Sequence, residues 1–206
     1  MLFRSTTKVA AVLVDLESRA PIATASLPHR ADVEGLSPGW SEQKVSTIFS
    51  ALDTCVDLLP ADTRRRVCTI GATGQMHGVV LWNSSTGRTS NLVTWQDQRC
   101  CQGGFLSSLR ERTEESNAQT GFGAVTLAWY AQHEPGLLDR YGAVGTIHDL
   151  VVAKATGRQQ PVIDPTDAAS WGFFDLRTRS WKIDPVHRAG IPENLLPRSE
   201  EHTSEL

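Results

Sequence analysis

Residues 71–78 read GATGQMHG and follow the apolar run Val67-Cys68-Thr69-Ile70. The run predicts a strand over Val67–Ala72. The glycines after it leave the backbone bare, so a ligand could approach closely. Gln75, Met76 and His77 supply an amide, a soft thioether and a titratable ring at that point. In open α/β sheets, ligands bind beyond the carboxyl ends of strands. The stretch therefore asks whether other strand ends carry matching chemistry.

Working outward, Val9 to Val14 and Ile22 to Leu27 predict a hairpin broken at residues 17–21. Ser41 and Glu42 form a helix-start signal. Val45, Ile48, Phe49, Leu52, Val56 and Leu59 then fall on one helical face, which Pro60 ends. Val79 to Trp82, Asn91 to Thr94 and Val144 to Thr146 predict strands, with a turn over Asn83 to Gly87. Ala124 to His133 and His148 to Ala155 predict helices, the second ending at Gly157, and Phe173 to Asp175 a late strand. Strand and helix alternation predicts an α/β fold with a largely parallel sheet, opened by an antiparallel hairpin. Neither a GxGxxG nor a GxxxxGK[ST] loop is present.

Two further polar clusters follow strand ends: Trp95-Gln96-Asp97-Gln98-Arg99 and His148-Asp149. Together with Gln75-Met76-His77 they suit a polyhydroxylated ligand. Asp97 and Asp149 can accept from hydroxyls, Arg99 and Gln75 can donate, and His77 can do either. Trp95 and Met76 offer apolar faces to the C–H side of a sugar. A missing hydroxyl would leave a buried partner unpaired at a cost of about 1–3 kcal/mol. Each residue also has a plainer reading: loop histidine, core tryptophan, helix N-cap, surface ion pair. His77, His148 and Asp149 lack a metal-ligand spacing such as HExxH, so no metal site is assigned.

Composition sets the outer bounds. In 206 residues, 40 % are hydrophobic and 21 % charged, enough for a packed core. A net charge of −3 offers no electrostatic footprint for nucleic acid, and Arg64-Arg65-Arg66 is too short to make one. No apolar run reaches membrane-spanning length. Val9 to Val14, ending at Asp15, is too short for a signal peptide. The four cysteines contain no CxxC pair, so reduced thiols and a cytoplasmic location are expected.

TGQMHGVV (73–80), TWQDQR (94–99), TGFG (120–123), GTIHD (145–149) and DAASWGFF (167–174) resemble, in order and approximate spacing, the FGGY family of carbohydrate kinases. The resemblance covers about Thr6 to Pro197. It implies an actin-like, ribonuclease-H-like domain whose partner domain closes a sugar-binding cleft. It places Gln75, Met76, His77, Trp95, Asp97, Arg99 and Asp149 against a ketose, with sedoheptulose the first candidate and xylulose or another ketose the second. It implies transfer of the ATP γ-phosphoryl group to a primary hydroxyl with Mg2+ assistance, by positioning and charge neutralisation.

The same resemblance exposes departures. Thr6 and Thr7 match the threonines of the family's phosphate loop, but Ser5 stands where glycine is expected and Phe3 where an aspartate is expected. The family's catalytic base is an aspartate further downstream, so no catalytic residue is assigned here. The expected organisation is residues 1–197 as a sugar-binding N-terminal domain, incomplete at both ends. Residues 198–206, RSEEHTSEL, resemble a translated sequencing adapter and are expected to pack against nothing. On this reading the chain by itself does not turn over substrate; a natural truncated form that binds sugar without catalysis is the alternative.

Overall fold

Residues 7–199 are described by a computed structural model of the chain. The expectations placed on Phe3, Ser5, Thr6 and residues 200–206 lie outside the described residues. The chain opens with the expected hairpin. Strands β1 (Lys8–Val14) and β2 (Pro21–Pro28) pair antiparallel, with Val9 opposite Leu27 and Ala11 opposite Ala25. Asp15 closes the turn, its carboxylate accepting from the Ser18 backbone N–H and hydroxyl, both at 2.7 Å.

Helix α1 (Val45–Asp57) lies on the hairpin, and Ala11, Leu13, Ala25, Cys55 and Leu59 form the contact. Alanine on both strands allows that close approach. Two details correct the sequence reading. Cys55 is fully buried, whereas Val56 is 39 % exposed, so the helix is rotated slightly from the expected face. Ser41 does not cap the helix; its N–H is taken by the Asp97 carboxylate at 2.7 Å and its hydroxyl meets that of Thr94. Glu42 and Gln43 instead form β3 (Glu42–Gln43), and Lys44 precedes the helix. Distant partners have outcompeted a local capping signal.

A short helix α2 (Ala61–Arg64) follows. The predicted strand over Val67–Ala72 is not one: the segment has no ladder, and Ile70 is 78 % exposed. A strand exists only through pairing, and an apolar β-branched run cannot supply its own partner.

Strand β4 (Val80–Asn83) explains its unbroken apolar sequence. With Val79, it alternates between two cores: Val79 and Leu81 face the larger, Val80 and Trp82 the smaller. It pairs antiparallel with β5 (Arg88–Thr89), and the following β6 (Leu92–Val93) pairs antiparallel with β3. Helices α3 (Phe105–Thr113) and α4 (Gly123–His133) intervene before β7 (Ala143–Gly145), which pairs with the other edge of β4, again antiparallel. Every residue from Gly123 to Tyr130 is buried, making α4 the axis of the larger core.

Helix α5 (Ile147–Thr156) ends at Gly157, as expected. The remaining elements are β8 (Val162–Ile163), α6 (Pro165–Ser170), β9 (Phe174–Asp175), β10 (Ser180–Trp181), α7 (Ile183–Arg188) and β11 (Arg198–Ser199). Only β8 and β11 pair in parallel among the described strands, which corrects the expectation of a largely parallel sheet. Alternation predicts parallel order only when each crossover returns directly; the long path between β4 and β7 carries two helices and re-enters in the opposite sense. The start of the 198–206 segment is also corrected. The Arg198 N–H donates to Pro161 O at 3.2 Å, because strand pairing uses backbone groups and needs no apolar pattern.

Candidate functional site

The GQMHG segment makes a tight reversal. The Gly78 N–H donates to Met76 O at 2.9 Å across His77, whose φ is +69°. A histidine there carries strain of about 1–3 kcal/mol, so surrounding contacts must hold it. Three do. The His77 N–H donates to the Ser170 hydroxyl, the ring Nδ1 lies 2.6 Å from the Ser170 carbonyl, and the ring stacks on Phe122 with centroids 4.9 Å apart and planes 4° from parallel. A carbonyl only accepts, so Nδ1 carries the proton. In the neutral ring Nε2 is then an acceptor, suited to a ligand hydroxyl.

The Trp95 backbone packs against Gly121, which adjoins Phe122, and Gly78 packs on Val93 and Thr94. A Cβ at Gly121 would collide with the Trp95 carbonyl, and its φ is +80°; both require glycine. Trp95 is 49 % exposed, an unusual state for an indole in a packed domain. His77 and Phe122 thus form a stacked pair, and the backbone of the exposed Trp95 packs against Gly121, next to Phe122.

Behind Trp95 lies the Asp97–Arg99 pair. Asp97 is 1 % and Arg99 0 % exposed. Asp97 accepts from the Arg99 Nε, Nη2 and backbone N–H, each at 2.9 Å, while Arg99 also reaches Glu42 at 2.6 Å and the Tyr130 hydroxyl at 3.0 Å. Its guanidinium lies 4.0 Å from the centre of Trp40. Burial works against the guanidinium charge, but Asp97, Tyr130 and Glu42 outweigh it and push its pKa up. The Asp97 carbonyl also accepts from Thr120, tying this pair to the TGFG loop.

Asp149 is 5 % exposed and completes a capping box on α5: its Oδ2 accepts from the Thr146 N–H and hydroxyl, both at 2.7 Å. Since that hydroxyl proton goes to Asp149, the Thr146 oxygen accepts from His148 Nδ1, 3.0 Å away. His148 Nε2 faces Asp167 at 2.9 Å, so both ring nitrogens donate and the imidazolium is favoured. Burial opposes that charge, but Asp167 and Asp149 prevail and the His148 pKa rises. Burial raises Asp149 to about 6. Gly74 packs directly on this ring; a Cβ there would lie 2.8 Å from His148 Nδ1.

Gln75, also buried, donates to Gln43 Oε1 at 3.0 Å and leaves its own Oε1 without a partner. It lines a small cavity of about 70 Å³ with Gly74 and His148. Of the expected site residues, His77 stacks on Phe122 with Met76 in the same turn, the Trp95 backbone packs against Gly121, next to Phe122, and Gln75 lines the small cavity. Asp97, Arg99 and Asp149, expected to offer their polar groups to a ligand, are buried and bonded to protein partners. Thr7 is exposed and its carbonyl accepts from His29 N–H at 3.1 Å. Phe122, Ser170, Tyr130 and Asp167 carry the geometry yet went unassigned. Phe122, Ser170 and Asp167 sit inside quoted motifs, but nothing local in the sequence says what they touch.

Fold and site together define a mixed α/β domain with a strained histidine stacked on Phe122 and an exposed tryptophan. The chain belongs to the FGGY family of carbohydrate kinases: the description "FGGY family of carbohydrate kinases, N-terminal domain" matches residues 4–205, a span that runs past Pro197. It is 37 % identical to mouse (Mus musculus) sedoheptulokinase over 93 % of this chain and 45 % of that protein. It is 39 % identical to human (Homo sapiens) sedoheptulokinase over 88 % of this chain and 41 % of that protein. Among solved structures, a xylulose kinase from Rhodospirillum rubrum superposes with a TM-score of 0.78 at 26 % identity, over 95 % of this chain and 42 % of that one. The chain thus spans less than half the length of these relatives.

Proposed function

We propose that this chain is the sugar-side domain of an ATP-dependent ketose kinase that converts sedoheptulose to sedoheptulose 7-phosphate. His77 on its strained turn, stacked on Phe122, is the observation that carries the reading. His77 Nε2 accepts from a sugar hydroxyl, Trp95 covers a C–H face, and Gln75 and Met76 border the same wall. Asp97, Arg99 and Asp149 act behind it by fixing the Trp95 loop and the start of α5. Similarity to the mouse and human sedoheptulokinases supports the seven-carbon ketose. Likeness to the xylulose kinase keeps the five-carbon ketose as the second reading.

The described residues do not fit the nucleotide and its metal. Thr7 stands exposed, and no group of three or more His, Cys, Asp or Glu among the described residues could hold a metal ion. ATP and Mg2+ belong to the complete enzyme. The 206-residue chain by itself is proposed to be inactive, since one wall neither excludes water nor supplies a base.

The test joins this domain to the remainder that its relatives carry and measures sugar phosphate by mass spectrometry with ATP and Mg2+. Sedoheptulose should outrun xylulose, and His77→Ala should lower kcat/KM by about a hundredfold or more. Equal rates for the two sugars would overturn the substrate; full activity in His77→Ala would overturn the site.

A further inference from the structure

Helix α6 has six residues, and its last, Ser170, supplies two of the contacts that hold His77 on its strained turn. The Ser170 carbonyl accepts from the ring Nδ1–H at 2.6 Å, and the Ser170 hydroxyl accepts from the His77 backbone N–H at 3.3 Å. That hydroxyl is itself oriented, because it donates to the Asp167 carbonyl at 2.7 Å. So short a helix does not hold its place by its own hydrogen bonds. Ala168 and Trp171 seat it in the larger core, but apolar contact is non-directional. The directional tie is Asp167, whose Oδ2 accepts from His148 Nε2 on α5 at 2.9 Å. His148 also meets the segment that enters the turn. Gly74 packs on the same ring, and a Cβ there would lie 2.8 Å from Nδ1. One imidazole thus stands between the approach to His77 and the helix that receives the His77 ring. The capping box of α5 is made by Thr146 and Asp149, so the link to Asp167 is not part of it.

We infer that His148 and Asp167 are positioning residues for His77: their link holds the end of α6 so that the His77 ring keeps its proton on Nδ1 and leaves Nε2 as an acceptor. The inference rests on the reading that His77 meets the sugar, and it extends that reading to the pair that orients the contact. Orientation decides the chemistry here. In the other tautomer Nε2 carries the proton, and a sugar hydroxyl meets a donor instead of an acceptor. A displacement of the Ser170 carbonyl by about 1 Å carries the 2.6 Å contact past hydrogen-bond range.

The test reads the His77 ring directly. Long-range 1H–15N spectra of the 15N-histidine-labelled chain tell a protonated ring nitrogen from a bare one, and His77→Ala identifies the His77 signals among the six histidines. The spectra are taken near about pH 7.5, where an ordinary imidazole is mostly neutral. In the parent, His77 should show one tautomer, protonated at Nδ1. Two variants cut the link from either side. Asp167→Ala removes the acceptor. His148→Asn puts an amide where Nδ1 stood, which keeps Thr146 in reach but not Asp167. Each should turn the His77 signals into a mixture of tautomers, with circular dichroism unchanged. His148→Gln puts an amide where Nε2 stood and should restore the parent signals. In the chain joined to the remainder its relatives carry, both cut variants should raise the KM for sedoheptulose about tenfold and change kcat by less than about threefold. A pair that only stabilises the fold would lower the unfolding midpoint and leave the tautomer alone. A single Nδ1–H tautomer in the cut variants, or a mixture that persists in His148→Gln, overturns the proposal; if Asp167→Ala does not fold, His148→Asn decides. The tautomer is read without sugar, so full activity in His77→Ala removes the sugar contact without touching this result.

Discussion

Arg99→Ala is expected to be among the most damaging single changes in this chain. The substitution removes the guanidinium that meets Asp97 twice, Glu42 once and Tyr130 once, all within 3.0 Å. Asp97, 1 % exposed, would keep its charge with only backbone donors around it. Removing one partner of a buried pair costs about 3–5 kcal/mol, and the lost stacking on Trp40 adds about 1 kcal/mol. At about 2–4 °C per kcal/mol for a domain of this size, the melting temperature should fall by roughly 8–24 °C. Arg99→Lys keeps the charge but loses the planar fork, and should fall in between. Urea unfolding followed by tryptophan fluorescence measures all three proteins. If Arg99→Ala unfolds within 1 kcal/mol of the parent, the pair is not structural, and Asp97 and Arg99 return as ligand contacts.

Stability should fall as pH rises from about 4 to about 6 and again above about 6.5. Asp149 has its pKa raised to about 6, so the folded state holds that proton longer than the unfolded state and loses the advantage as pH climbs. His148 is also raised, so its contribution is full below about 6.5 and is lost as pH passes its higher folded value. Asp15 and Asp175 are lowered and therefore act below about pH 4, outside this window. Urea midpoints across the range check the slope, and His148→Gln should flatten its upper half; midpoints that rise with pH would show the sign to be wrong. Gly121→Ala should cost about 2 kcal/mol or more and abolish any sugar response at Trp95, since a Cβ meets the Trp95 carbonyl on a backbone already at φ +80°. An unchanged midpoint would remove that argument.

Local pattern made some of this architecture readable. The opening hairpin, α1, α4 and the Gly157 stop on α5 follow from alternation, helical spacing and glycine chemistry. Strand β4 was legible as a strand from its apolar run; that its two faces enter different cores was not. Other features depend on partners that no window of sequence contains. Val67–Ala72 has strand composition but no ladder; Ser41 has a capping side chain that Thr94 and Asp97 claim first. At the site, placement after strand ends singled out His77, yet the strand expected before it does not form. Placement could not show that Asp97 turns inward to Arg99, since acceptor chemistry is the same whether it meets a sugar or a guanidinium. Nor could it show that His77 rests on Phe122 and Ser170, each far along the chain.

The account rests most heavily on His77 and Trp95 forming one sugar-facing wall. The most direct measurement is the 19F spectrum of the 5-fluorotryptophan-labelled chain titrated with sedoheptulose to about 100 mM, because a one-walled cleft should bind at millimolar strength or weaker. The Trp95 resonance should move saturably, the Trp82 resonance should stay still, and His77→Ala should abolish the movement. A Trp95 resonance unmoved by sedoheptulose and by xylulose, or one that moves as fully in His77→Ala, would contradict the account.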